Sequence, residues 1–282
     1  MGRVSVAALA LCLLLSGCST LSPNPEPRPG TTTATPAPVP TAGPDGTLAP
    51  GLTREGVVDA RTLAVAHVAR LADRSYTLTA TRTTRYPNGT LRERLELNLS
   101  LGADRSYLAH AETAGPRAPV FLGRPPASAA FWSNGSVYTR RLTHAGSTTY
   151  TTFQPTNGAG TWQYWARTVP FGGRGGNPRE FLTRTFTAIP TRTTGRAVDS
   201  GPTTYTVVGT RATAPIELGV EDPREVDLRA EVTADGLVRS LTLTYVGTVD
   251  GRTVEVTRRL RYDRVGATDV TRPPWVDRAL SE

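Results

Sequence analysis

Between residues 91 and 101 the chain changes sides at every step. Leu91, Leu95, Leu97, Leu99 and Leu101 fall on one parity, and Arg92, Arg94, Glu96, Asn98 and Ser100 fall on the other. A period of two buries one face and wets the other only in an extended strand. The same pattern returns near the C-terminus. Val226, Leu228, Ala230 and Val232 alternate with Asp227, Arg229, Glu231 and Thr233, and Leu241, Leu243 and Tyr245 follow. Val254, Val256, Leu260 and Tyr262 then alternate with Glu255, Thr257, Arg259 and Arg261. Tight-turn residues separate these runs: Pro87-Asn88-Gly89, Gly102-Ala103-Asp104, Asn134-Gly135, Ala145-Gly146, Ala234-Asp235-Gly236 and Asp250-Gly251. Regular strands joined by such turns predict an antiparallel meander. Further strands are expected over 75–85, 106–113, 129–133, 137–142, 148–153 and 203–210.

Two segments break the period. Asp59 to Arg74 predicts a helix that Asp59 caps, with Leu63, Ala64, Val68 and Leu71 as its apolar stripe. His67 stands at the edge of that stripe, where a packed, hydrogen-bonded histidine is the expected role. Asn177-Pro178 starts a second, short helix through Ala188, with proline in its first turn. Phe181, Leu182 and Phe186 give it an apolar side.

The fold class predicted is therefore α+β: a large curved antiparallel β-sheet, a half-barrel-like meander of about 9–10 strands, with one N-terminal helix and one short mid-chain helix. Helices about 10–12 Å wide cover only four or five strands spaced about 4.8 Å apart. A sheet of nine or ten strands has more apolar face than that. Either it curls, or the aromatic loop plugs it, or a ligand fills it. That loop, 154–178, holds Trp162, Tyr164, Trp165 and Phe171, with Gly158, Gly160, Gly172 and Gly173 as hinges for a lid.

The N-terminus follows different rules. Val4 to Leu15 is apolar and 12 residues long, too short for the roughly 20 that span a bilayer as helix. With Arg3 before it and small residues after it, it suits the core of a signal peptide. The run ends in Leu15-Ser16-Gly17-Cys18, which matches a lipobox. Residues 1–17 are thus expected to be a lipoprotein signal peptide, with cleavage before Cys18 and a lipid on its thiol. Residues 18–50 form the lipidated cysteine and a disordered tether. Ser19 to Pro50 contains nine prolines and no apolar periodicity, enough to reach about 100 Å at ~3.1 Å per residue. A single globular domain is expected over 51–282. The localisation implied is the cell membrane, lipid-anchored, facing outward.

Of the two cysteines, Cys12 lies in the leader. The processed chain keeps only Cys18, so no disulfide forms within one molecule. The net charge is +8, and all 32 basic residues are arginine. Removing the leader leaves 31 arginines and 24 acids, or +7. The arginines are interleaved with acids along the chain rather than gathered in clusters, so no nucleic-acid partner is expected.

Catalytic signatures are missing. The sequence has no Gly-x-Ser-x-Gly, P-loop or His-Glu-x-x-His, and the glycine-rich 171–176 stretch lacks the lysine of a phosphate cradle. His67, His110 and His144 have no metal-ligand spacing. The expectation is no enzyme, no catalytic residue, no metal and no cofactor. Asn88, Asn98 and Asn134 begin N-glycosylation sequons. Polar turn or strand positions account for them equally well.

The lipobox, the Pro/Thr tether, the opening helix, the Tyr76-Thr77 strand entry, the Tyr86-Pro87-Asn88-Gly89-Thr90 hairpin and the ending Val270-Thr271-Arg272-Pro273-Pro274-Trp275-Val276 resemble haloarchaeal membrane lipoproteins of an uncharacterised family. More distantly, a helix wrapped by a meandering sheet is similar to the LolA and LppX half-barrel lipoproteins, which hold lipid. That resemblance is one of architecture. A membrane-anchored binding or interaction domain is the function expected. A carrier of lipid or another apolar ligand is the alternative, and a carboxylate-dependent surface hydrolase is a third.

Overall fold

A computed structural model describes residues 46–154, 160–162, 177–198, 202–213 and 219–282. Its centre is an open antiparallel sheet of eleven strands, curved and not closed. The meander runs outward through β4 (Tyr76–Arg85), β5 (Leu91–Leu101), β6 (Tyr107–Ala114), β7 (Ala127–Ser133), β8 (Tyr138–His144) and β9 (Ser147–Phe153). It then restarts at the opposite edge and returns through β10 (Arg192–Ala197), β11 (Thr204–Gly209), β12 (Glu221–Thr233), β13 (Val238–Val249) and β14 (Arg252–Asp263). Strand β14 pairs with β4, so the last strand meets the first at the middle of the sheet. Edges β9 and β10 lie ten strand spacings apart, about 48 Å along a flat sheet. The connection from one to the other therefore has to traverse the whole sheet.

Three short strands, β1 (Thr47–Ala49), β2 (Leu52–Thr53) and β3 (Gly56–Val57), form a small sheet of their own. Ala49 and Leu52 are buried. Residues 47–49, placed in the tether on composition, are thus part of the folded body.

Helix α1 (Ala60–Leu71) is capped as expected. The Asp59 carboxylate accepts from Thr62 N at 2.9 Å and from Thr62 Oγ1 at 2.7 Å. Its buried residues are Leu63, Ala64, His67 and Leu71. Val68 is exposed, which corrects the expected stripe. At about 100° per residue His67 lies between Leu63 and Ala64 in projection, whereas Val68 falls about 140° from Leu63. His67 is 1% exposed, and its Nδ1 accepts from Val238 N at 3.3 Å. Helix α2 (Pro178–Ala188) has the expected bounds, with Asn177 Oδ1 accepting from Arg179 N and Glu180 N. A third helix, α3 (Trp275–Ser281), was not expected.

Helices α1 and α2 lie on one face of the sheet, its inner face. Leu63, Ala64, Leu182 and Phe186 pack there with Val207, Leu228, Ala230, Leu241, Leu243 and Val256. Helix α3 covers the opposite, outer face at the other end. Thr152 Oγ1 donates to Ala279 O at 2.6 Å, and Arg141 and Arg278 lie over the rings of Trp275 and Tyr150.

Candidate ligand site on the inner face

On β4 the side chains facing inward are Tyr76, Leu78, Ala80, Arg82 and Thr84. On β14 the register puts Tyr262, Leu260, Arg258 and Val256 beside them. These are the two central strands of the sheet, where burial should be greatest. Yet Leu78, Arg82, Leu260 and Arg258 are only half-buried, while Leu97, Leu99, Leu241 and Leu243 on the strands to either side are buried. The other inward residues of these strands, Tyr76, Ala80, Thr84, Val256 and Tyr262, are buried, so the partial exposure is confined to these four positions.

The cover changes there too. Over β11–β14 it is helical. Over β5–β8 the inner face is floored by Leu97, Leu99, Ala109, Ala111, Ala129 and Phe131. The described residues packed on this part include Leu71 from the end of α1, Phe121 and Trp162. Trp162 sits edge-on to Tyr107 with ring centroids 5.8 Å apart. Tyr164, Trp165 and Phe171, named with it as the aromatic lid, lie outside the described residues.

A polar group interrupts this apolar face. Arg258 and Arg82 stand directly opposite each other across β14 and β4. Arg82 Nη2 reaches Glu93 Oε1 at 3.1 Å. The buried Glu93 also accepts from Thr84 Oγ1 at 3.1 Å and from Arg92 Nη1 at 3.2 Å. Arg92 continues to Asp250 Oδ2 at 3.0 Å. Arg258 lies 5.9 Å from the Phe181 ring and beside the fully buried Tyr245. Burial brings the Arg258 pKa below the ordinary guanidinium value; Tyr245 opposes the shift and the Arg82 charge adds to it. Guanidinium groups keep their charge through such shifts. Burial likewise raises the Tyr245 hydroxyl.

None of these residues was singled out from the sequence, yet a signal was present. The alternation Val254, Val256, Leu260, Tyr262 skips Arg258, and Leu91, Leu95, Leu97 skips Glu93.

The other expected sites are separate and superficial. Asn88 and Asn134 are exposed and their side chains close their own turns, accepting from Thr90 N at 3.0 Å and from Ser136 N at 3.1 Å. Asn98 is exposed on β5 and donates to Glu96 at 3.3 Å. Cys18 lies outside the described residues. Among the described residues no group of His, Cys, Asp and Glu could hold a metal, and Glu93 is the one buried carboxylate. A cavity of about 550 Å³ opens beside Glu112, Arg124, Pro126 and His144.

Fold and site define an open, curved antiparallel sheet with two helices on one face and a charged break in that otherwise apolar face. The chain belongs to DUF7537, a family of unknown function, which matches residues 3–279. No curated protein matches the sequence. Among solved structures it is similar to a DUF1329 family protein from Desulfovibrio piger, at 11% identity over 77% of this chain and 94% of that one, TM-score 0.25. It is similar to a LolA superfamily protein from Nitrosomonas europaea, at 10% identity over 76% and 96%, TM-score 0.25. A third is an outer membrane lipoprotein-sorting protein domain from Vibrio parahaemolyticus, at 10% identity over 73% and 94%, TM-score 0.24. Likeness at this level carries no functional weight.

Proposed function

We propose that the protein is an outward-facing membrane lipoprotein, anchored by a lipid on Cys18, whose curved sheet binds an apolar or amphipathic molecule on its inner face. The observation that carries this reading is the half-burial of Leu78 and Leu260 at the centre of the sheet. A solid interaction module would bury its two central strands best, as the surrounding leucines are buried. A ligand bound there would meet leucine and aromatic side chains with few polar groups, the usual make-up of a ligand pocket. The hydrolase alternative needs two carboxylates flanking a cleft. Glu93 is instead engaged by two arginines, and that arrangement gives it no free role as acid or base.

Two experiments test the proposal. Native mass spectrometry of gently extracted protein is expected to find a bound lipid, and the emptied protein is expected to take up the neutral apolar dye Nile red. Protein that purifies without lipid and takes up no dye overturns the binding reading. For the anchor, Cys18→Ser is expected to release the protein from membranes or leave the precursor uncleaved. A processed N-terminus at another residue, unmodified in its mass, overturns it.

A further inference from the structure

We propose that the β6–β7 connection, residues 115–126, docks on an anionic membrane surface, with Val120 entering the headgroup layer and Arg117 and Arg124 meeting the lipid phosphates. This contact goes beyond the inner-face ligand and the Cys18 anchor, and its test depends on neither.

The connection differs from the other hairpins of the meander, which turn within a few residues on Asn, Asp or Gly. Hairpin loops usually take about 2–5 residues. Between Ala114 and Ala127 the chain takes twelve, Gly-Pro-Arg-Ala-Pro-Val-Phe-Leu-Gly-Arg-Pro-Pro, in which the two arginines are the only polar side chains. The loop is pinned on both sides of its tip. Arg117 N donates to Arg92 O at 3.0 Å, Ala118 is buried, and Leu122 is buried in the core over β5–β8. Gly123 N donates to Val120 O at 2.8 Å and closes a turn. Val120 is thereby held outward and is 69% exposed, more than any other large apolar side chain among the described residues. A lone exposed valine needs no explanation by itself. This one stands between two exposed arginines that are in no ion pair among the described residues.

Charge supplies the partner. Seven of the 32 arginines and none of the 24 acids fall within 113–179, so the other 25 arginines face 24 acids elsewhere. The interleaving of arginine with acid thus stops at Glu112 and resumes at Glu180, and nearly all the excess charge lies in the stretch that contains this loop. Of the seven, Arg140 and Arg141 lie over the Phe153 and Trp275 rings, and Arg179 is exposed in the first turn of α2. Arg167 and Arg174 lie outside the described residues. Of the acids on β5, β6 and the Asp250 turn, Glu93, Glu96 and Asp250 are ion-paired to Arg82, Arg92 and Arg94, which leaves the exposed Glu112 beside Arg124. A protein partner would meet a surface patterned in both signs. A bilayer offers uniform anionic headgroups above apolar chains, which suits guanidiniums on either side of an aliphatic tip.

The test uses the full chain with Cys12→Ser and Cys18→Ser, which removes the lipid anchor and leaves the thiol of Val120→Cys as the only one. An NBD dye on that thiol emits further to the blue when it enters a membrane. Vesicles of equal parts phosphatidylglycerol and phosphatidylcholine are expected to shift it, and phosphatidylcholine alone to leave it unshifted. The same dye at Val58→Cys, another exposed valine, should stay unshifted with both, and it reports any effect of mere nearness through an inserted leader. Adding Arg117→Gln/Arg124→Gln, two changes at exposed positions, should raise the lipid concentration needed on the order of tenfold. Soluble polyphosphate should give no shift. No shift at Val120→Cys overturns the proposal. So does an equal shift with neutral vesicles, an equal shift at Val58→Cys, or an unchanged lipid requirement in the arginine variant. A shift with polyphosphate overturns the membrane in favour of a soluble polyanion.

Discussion

His67 is placed to make stability depend on pH in one direction. It is sealed between α1 and the sheet, with its ring 5.0 Å from that of Tyr262. Nδ1 accepts from Val238 N, so the ring proton sits on Nε2, which is buried without a partner. A second proton would have to sit on Nδ1 and break that hydrogen bond, at a ring only 1% exposed. Burial accordingly lowers the pKa from 6.5 to about 4. In the unfolded chain the imidazole takes up a proton as pH falls below 6.5, and in the folded chain it does so only near 4. Folding stability is thus fully present above pH 6.5, is lost as pH drops, and levels off below about 4. At about 1.36 kcal/mol per unit, the loss is roughly 2 kcal/mol at pH 5 and roughly 3 kcal/mol at pH 4. Urea unfolding of the wild type and of His67→Gln, at several pH values from 7 to 4, measures it. Glutamine keeps an acceptor for Val238 but does not titrate. The carboxylates of Asp59 and Asp104, whose pKa values hydrogen bonds lower, act in both proteins and cancel in the difference. The wild type should lose its lead over the variant by about 3 kcal/mol between pH 7 and pH 4. Parallel curves for the two proteins would refute the assignment of a neutral, sealed imidazole.

Gly51 has φ +75, and a Cβ there would stand 2.2 Å from Asp59 O, whereas Gly89, at φ +81, has open space around it. Thermal melting should therefore show Gly89→Ala losing only the cost of left-handed backbone, roughly 1 kcal/mol, with Gly51→Ala losing clearly more. Asn177→Ala removes the cap of α2 and should cost about 1 kcal/mol in urea unfolding. Because the Asn88, Asn98 and Asn134 side chains all reach solvent, intact-mass measurement of protein from its native cell is expected to show glycan on at least one. Their separate Asn→Gln variants should remove the added mass one site at a time.

How far the sequence shows the fold depends on how local each cause is. Caps and turns act within a few residues, so the bounds of β5 and α2 and the capping of α1 are legible from Asp59, Asn177-Pro178 and Asn88-Gly89. Strand β10 was missed because Arg192–Ala197 is an edge strand with exposed residues and no apolar alternation to detect. That strand brings the sheet to eleven, beyond the expected nine or ten. Helix α3 was missed because seven residues without a side-chain cap make no readable period. Its reason to exist is tertiary: the outer surface of β8 and β9. The pairing of β14 with β4 was also beyond local reading, since nothing in either strand names the other.

That pairing also explains why the candidate site was not seen. Arg82, Glu93 and Arg258 each read as one charge in a strand that otherwise alternates, and solvated charge is the ordinary role of such a residue. But the parity of each places it with the apolar side chains of its own strand, not with the polar ones. Three separate breaks in the pattern, on β4, β5 and β14, then fall on neighbouring positions once the strands are in register. Charges left on the inner face by chance would be scattered along the sheet, and each would need its own partner. Here Arg82, Glu93 and Arg258 meet on adjacent strands, while Arg140 faces the same side farther along, opposite Phe131 on β8. Local pattern that fails at a single spot, while holding along the rest of the same strands, marks a place where stability has been given up for something else. The ion pairs of Glu93 with Arg82 and Arg92, joined by the Thr84 hydroxyl, show how such a spot is held between strands away from solvent, which a solvated surface charge would not need.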